Sequence, residues 1–157
     1  MENDVTQYEL VTTWRGGMTS RTRCQSCTVG GRVQSSQKHI IDSDEPEALG
    51  GTGLAPGPQE LMLAAFNACM TAAFVYEANR LNVTVTHLEI QTAGKLHTGL
   101  PVSSVQEVDD WIHYTLHVRG SGGIREFENI HSGVISSSPT RWLLAQNMTI
   151  EGDLIVN

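Results

Sequence analysis

The stretch Gly57-Pro58-Gln59-Glu60-Leu61-Met62-Leu63-Ala64-Ala65-Phe66-Asn67-Ala68-Cys69-Met70-Thr71-Ala72-Ala73-Phe74-Val75-Tyr76 decides the fold. From Leu61 to Tyr76 it carries no charge, and only Asn67 and Thr71 are polar. Strong helix formers dominate it, alanine above all. Pro58 suits the first turn of a helix, where its missing N–H would have had no helical partner. A helix that is apolar nearly all round is buried on most sides. The length and alanine content argue against a membrane span. The spacing predicts a helix over 58–81, with the thiol of Cys69 in its middle and the rest of the chain as its cover.

The chain of 157 residues is the size of one domain, 1–157, and can bury about two-thirds of its unfolded surface without a disulfide or metal. A net charge of -7 argues against nucleic acid and anionic membranes as partners. The acidic start, Met1-Glu2-Asn3-Asp4, has no apolar run of the signal-peptide kind. Three cysteines make no even disulfide framework, so a cytoplasmic location is expected.

Outward from the helix, the N-terminal side reads as an antiparallel β-meander over 8–42, with strands at 8–14, 18–28 and 38–42 separated by glycine turns. Residues 43–57 form a loop rich in Gly and Pro that leads into the helix. The run Gly50-Gly51-Thr52-Gly53 lacks the following Lys-Ser/Thr and the preceding strand of a phosphate-binding loop. On the C-terminal side, 83–157 forms a β/α part. Strands are expected at 83–96, 110–119 and 148–156, and helices at 124–134 and 140–145. In the strand at 110–119, Ile112, Tyr114, Leu116 and Val118 alternate with Trp111, His113, Thr115 and His117. In the helix at 124–134, Phe127, Ile130 and Val134 lie on one stripe. Ser138 before Pro139 is a helix cap. The class is α+β, with sheets wrapped round a central helix.

A thiol inside an apolar helix is ordinarily a small hydrophobe. To react, Cys69 must become a thiolate, and in mid-helix it gains nothing from its own helix N-terminus. A cation would come from another segment, with Arg15, Arg21, Arg23, Arg32 and Arg141 as the sources. Cys24-Gln25-Ser26-Cys27 has the spacing of a zinc knuckle or redox pair. It has no matching second pair, and on a regular strand its thiols point to opposite faces. His113 and His117 share a strand face that reads as solvated. No metal site and no cofactor is expected.

The segment from Gly51-Thr52-Gly53 through Pro58-Gln59-Glu60-Leu61 to Asn67-Ala68-Cys69 resembles the signature of the OsmC/Ohr family. Ser137-Ser138-Pro139-Thr140-Arg141 is similar to its second motif. The resemblance implies an OsmC-like fold: an intertwined homodimer with antiparallel β-sheets wrapped round two long buried central helices. It also implies a thiol-dependent peroxidase of the oxidative stress response. Its cysteine attacks an organic hydroperoxide, and an arginine from the N-terminal hairpin and a glutamate of the central helix activate it.

Residue by residue, Cys69 matches the peroxidatic cysteine. Ser138 stands where the family has its second cysteine, which removes the usual resolving disulfide. Gln59 stands where the family has its glutamate, and the acid is displaced to Glu60. On an ideal helix residue 60 points about 180° from residue 69, and residue 59 about 80°. Arg21 and Arg23 are the arginine candidates. Ten helical residues span about 15 Å, so positions 59 and 69 share a site only across two antiparallel helices of a dimer. The resemblance thus implies a hydroperoxide reductase with one active-site cysteine, resolved by an external thiol reductant or by Cys24 or Cys27. The alternative is a non-enzymatic protein that holds a small hydrophobic molecule near Cys69.

Overall fold

The computed structural model describes residues 5–35, 38–98 and 109–157, so the acidic residues 1–4 lie outside it. The chain forms two compact units, Met1–Leu61 and Met62–Asn157. The first holds a four-stranded sheet. Strands β1 (Thr6–Gly16) and β2 (Thr19–Val29) form a long antiparallel hairpin. The turn after β2 is Gly30-Gly31, with φ of 54° and 73°, a left-handed pair that favours glycine and suits a two-residue hairpin. That turn leads into β3 (Arg32–Ser35), a strand the sequence reading missed because four residues carry too short an alternation.

Strand β4 (Ile40–Ser43) returns to β2, not to β3. Strands β3 and β4 pair with different halves of the same β2 edge, residues 26–29 and 20–23. The expected meander is corrected accordingly. The following loop is organised by Asp44, which is buried. Its carboxylate accepts from the Thr52 hydroxyl at 2.5 Å, the Thr52 N–H at 3.0 Å and the Glu45 N–H at 2.8 Å. The Thr52 hydroxyl bond outweighs burial and holds Asp44 below the usual carboxylate range.

Helix α1 (Pro58–Arg80) begins in this unit and runs on into the second. Glu60 accepts from the Gly57 N–H at 2.8 Å, satisfying a donor at the helix start. At the far end Asn82, at φ 55°, lets the Val83 N–H return to the Ala78 carbonyl at 2.9 Å. The two polar residues inside the apolar run are also used. Thr71 donates to the Asn67 carbonyl at 2.8 Å, and the Asn67 side chain accepts from Thr92 at 2.6 Å.

Only one stripe of α1 is buried: Phe66, Met70, Phe74, Glu77 and Ala78. Ala64, Ala65, Ala68, Ala72, Val75 and Tyr76 are exposed. One chain covers one face of the helix, so the expected burial on most sides requires a further cover on the alanine face. Its 23 residues are also long and apolar enough to cross a membrane, contrary to the sequence reading. The buried stripe, including Glu77 paired with Arg80 at 2.8 Å, is what makes it a core helix.

The second unit packs that stripe on a three-stranded sheet. Strands β5 (Val85–Lys95) and β6 (Trp111–Gly120) pair antiparallel, and β7 (Thr149–Val156) joins β6 in parallel. A parallel neighbour requires a crossover, supplied by α2 (Ile124–Ser137) and α3 (Pro139–Ala145). The sheets are thus antiparallel as expected except at β7. Ile112, Tyr114, Leu116 and Val118 are buried, as are Phe127, Ile130 and Val134 of α2. The period-2 and period-3.6 patterns thus meet in one core, where the Phe66 and Tyr114 ring centroids lie 5.7 Å apart and those of Phe74 and Phe127 6.3 Å.

Candidate functional site

Cys69 lies one position before the buried Met70 on α1 and is half-buried. It is present as a thiol. The break between α2 and α3 faces it. Ser138 ends one helix and caps the next, and it is 1% exposed. Its Oγ accepts from the Arg141 N–H at 3.4 Å, the third residue of α3. The same oxygen is 3.2 Å from Cys69 Sγ. A thiolate can only accept, so the Ser138 hydroxyl donates its proton to the sulfur when Cys69 is ionised.

Burial of the sulfur pushes the Cys69 thiol up. The Ser138 hydroxyl, and then the hydroxyl and main chain of Thr140, stabilise the charged form and more than offset that effect. The net result is a thiol below its ordinary range. The sequence reading held that Cys69 draws nothing from its own helix N-terminus. The start of a different helix, α3, supplies the donors instead, through Ser138 and Thr140. The Ser138-Pro139 break was legible in the sequence, but its facing of Cys69 is a tertiary fact.

Arg141, a candidate cation, turns its guanidinium elsewhere. Its Nη2 reaches the Ile150 carbonyl at 3.5 Å, and the group bears on the Tyr114 hydroxyl. Tyr114 Oη is 2.8 Å from His131 Nε2. Neither Tyr114 nor His131 was singled out for function, because each reads as ordinary core or helix surface in its local pattern.

The other expected site residues belong to the first unit. Arg21 forms a two-pronged ion pair with Asp42, at 2.7 and 2.9 Å. Asp42's hydrogen bond raises Arg21, and Arg21's hydrogen bond lowers Asp42. Arg23 is exposed on β2, opposite Val11 and Ile40. Glu60 is committed to the Gly57 N–H, and Gln59 is half-buried beside it in the first turn of α1. Of the expected residues, the structure brings Cys69 and Ser138 together.

Cys24 is register partner to Leu10, and Cys27 to Tyr8, with Gln25 skipped as a bulge. Paired residues share a face, and Tyr8 and Leu10 are two apart on β1. Cys24 and Cys27 therefore share a face, which overturns the regular-strand expectation. His113 contacts Asp153 at 3.1 Å. Among the described residues no cluster of His, Cys, Asp and Glu suits a metal ion.

The family model described as OsmC-like protein matches residues 51–152. No curated protein matches the chain in sequence. Among solved structures, an OsmC like protein from Mycoplasma pneumoniae is 16% identical over 96% of each chain, with a TM-score of 0.71. An organic hydroperoxide resistance protein OsmC from Legionella pneumophila is 17% identical over 94% of this chain and 96% of its own, with a TM-score of 0.63. An organic hydroperoxide resistance protein from Elizabethkingia anophelis, with thiocyanate bound, is 14% identical over 96% of each chain, with a TM-score of 0.64. At such identities the likeness is one of fold.

Proposed function

Because this chain belongs to the OsmC-like protein family, we propose that it reduces organic hydroperoxides through Cys69 and uses an external thiol to complete the cycle. The observation that carries this reading is the Cys69 thiol, held below its ordinary range 3.2 Å from the Ser138 hydroxyl. Several structures of the same fold are hydroperoxide resistance proteins.

The cycle balances as follows. The Cys69 thiolate attacks the distal peroxide oxygen of ROOH. The S–O bond forms as the O–O bond breaks, and the alkoxide leaves and takes a proton to become ROH. Sulfur is oxidised by two electrons to a sulfenic acid. Ser138 cannot form a disulfide with it. A small thiol therefore attacks the sulfenic sulfur, giving a mixed disulfide and water, and a second thiol releases Cys69 and leaves as the disulfide. In this role Ser138 is a hydrogen-bond donor to sulfur at the position of a resolving cysteine.

The exposed small-residue face of α1 supports a homodimer, in which a second copy covers Ala65, Ala68 and Ala72. Such a dimer is also the route by which Gln59 of the partner subunit would approach Cys69. The second reading is a non-enzymatic protein that holds a small hydrophobic molecule at Cys69. The turn of the Arg141 guanidinium toward Tyr114 and Ile150 favours it, because that cation does not assist the thiolate.

Consumption of an organic hydroperoxide in the presence of a small thiol separates the two readings. The peroxidase turns over, loses turnover on Cys69→Ser and keeps it on the paired Cys24→Ser, Cys27→Ser change. Turnover indifferent to Cys69→Ser would contradict it.

A further inference from the structure

The first unit carries a pair of thiols that the peroxidase reading leaves unused. Cys24 and Cys27 are both thiols, half-buried on β2. A regular strand would turn residues three apart to opposite faces. The register with β1 steps over Gln25, so Cys24 lies opposite Leu10 and Cys27 opposite Tyr8. Tyr8 and Leu10 are 71% and 53% exposed, so this sheet face is open to solvent. Ser26, next to Cys27, lies opposite Glu9 and donates to its carboxylate at 3.1 Å, on the other face.

The second edge of β2 divides at the same place. Strand β3 pairs with residues 26–29, and β4 with residues 20–23. The Cys24 N–H extends the β4 pairing by one position, donating to the His39 carbonyl at 3.0 Å. Strand pairing on both edges therefore sets the separation of the two cysteines.

That separation decides what can join the sulfurs. Tyr8 and Leu10 are two residues apart on β1, which is about 6.7 Å along a strand. Side chains on one face stand side by side, so the Cβ atoms keep roughly that separation. A disulfide needs its Cβ atoms about 3.5–4.5 Å apart, and would have to draw the strand together. One metal ion with two bonds of about 2.3 Å to sulfur holds the sulfurs up to about 4.6 Å apart, which matches thiols leaning toward each other from neighbouring same-face positions. Thiolates select soft ions. Zinc takes four ligands and is not served, because among the described residues no third His, Cys, Asp or Glu joins the pair in a metal-binding group. Cu(I), a soft closed-shell ion, accepts two sulfurs in line.

We propose that Cys24 and Cys27 form a two-thiolate site for one Cu(I) ion. Binding exchanges protons for metal: Cu(I) and two S–H groups give a cuprous bis-thiolate and two protons, with no change of oxidation state. Cys69 takes no part, so the proposal stands or falls separately from the peroxidase reading.

The test offers the protein Cu(I) as its bicinchoninate complex, without oxygen, and reads the loss of the chelator's visible absorbance. The native protein and Cys69→Ser are expected to withdraw about one Cu(I) per chain alike. Cys24→Ser and Cys27→Ser are each expected to weaken retention about tenfold or more against rising chelator. The paired change Ser26→Cys with Cys27→Ser keeps the number of thiols and moves one to the opposite face. It is expected to weaken retention as much as Cys27→Ser does. Undiminished retention in that relocated protein overturns the proposal, as does loss of retention in Cys69→Ser alone. Should the variants not fold, the native protein decides by iodoacetamide alkylation read on its peptides. Cu(I) is expected to protect Cys24 and Cys27 and to leave Cys69 reactive; protection of Cys69 with Cys24 and Cys27 still reactive overturns the assignment.

Discussion

The environment of the Cys69 sulfur turns on a single oxygen. Ser138 Oγ faces an N–H of its own helix on one side and the Cys69 sulfur on the other. Ser138→Ala keeps the backbone break and removes that donor. A hydrogen bond to a charged group contributes about 1.5–3 kcal/mol. The variant is accordingly expected to react about tenfold more slowly, or slower still, with a thiol reagent at pH 7, with the native rate recovered at higher pH. His131 gives a second residue-level expectation, in stability. Its folded pKa lies below the ordinary value of 6.5, through burial and the Arg141 charge, with Asp153 opposing and Tyr114 as its hydrogen-bond partner. Between that lowered pKa and 6.5 the unfolded chain binds more protons than the folded one, so stability falls as pH drops through this window. His131→Gln is expected to flatten the fall in denaturant midpoints measured across that range. Of these residues, the sequence makes Cys69 and Ser138 visible through a motif. Tyr114 and His131 escape it, because a tyrosine on a buried strand face and a histidine on a helix carry no local mark of their contact.

At the scale of elements, patterning accounts for most of what was legible. The alternation of β6 and the stripe of α2 put the same side chains in the core that the structure buries. What escaped has physical causes. Strand β3 is too short to show a period, and the return of β4 to β2 is a long-range choice. The Gln25 bulge reverses the relation of Cys24 to Cys27, and a bulge has no composition signal there. Parallel pairing of β6 with β7 follows from a crossover, which single-strand patterns do not report. Gly152 marks where this pairing meets the site, since the Tyr114 ring occupies the place of its missing side chain. Gly152→Ala is expected to lower stability by about 1–3 kcal/mol, as overpacking does, in a chemical unfolding curve.

At the scale of the molecule, the central helix reads from sequence as a rod in need of cover on most sides. One chain buries the stripe of Phe66, Met70 and Phe74 and leaves the alanine face exposed. A second copy is the occupant proposed for that face. Ala68→Glu, a change in an exposed helical position, is expected to convert a dimer to a monomer in light scattering while helix content is kept. A wild-type protein that is monomeric at micromolar concentration would remove the dimer from the account. The proposed activity, however, depends on one sulfur atom. The most direct measurement is the intact mass of the protein after one equivalent of an organic hydroperoxide, with and without a sulfenic-acid trap, followed by peptide mapping. The account predicts a gain of one oxygen, or one trap adduct, on Cys69 and none in Cys69→Ser. An unmodified Cys69 in protein that has met the peroxide would contradict it.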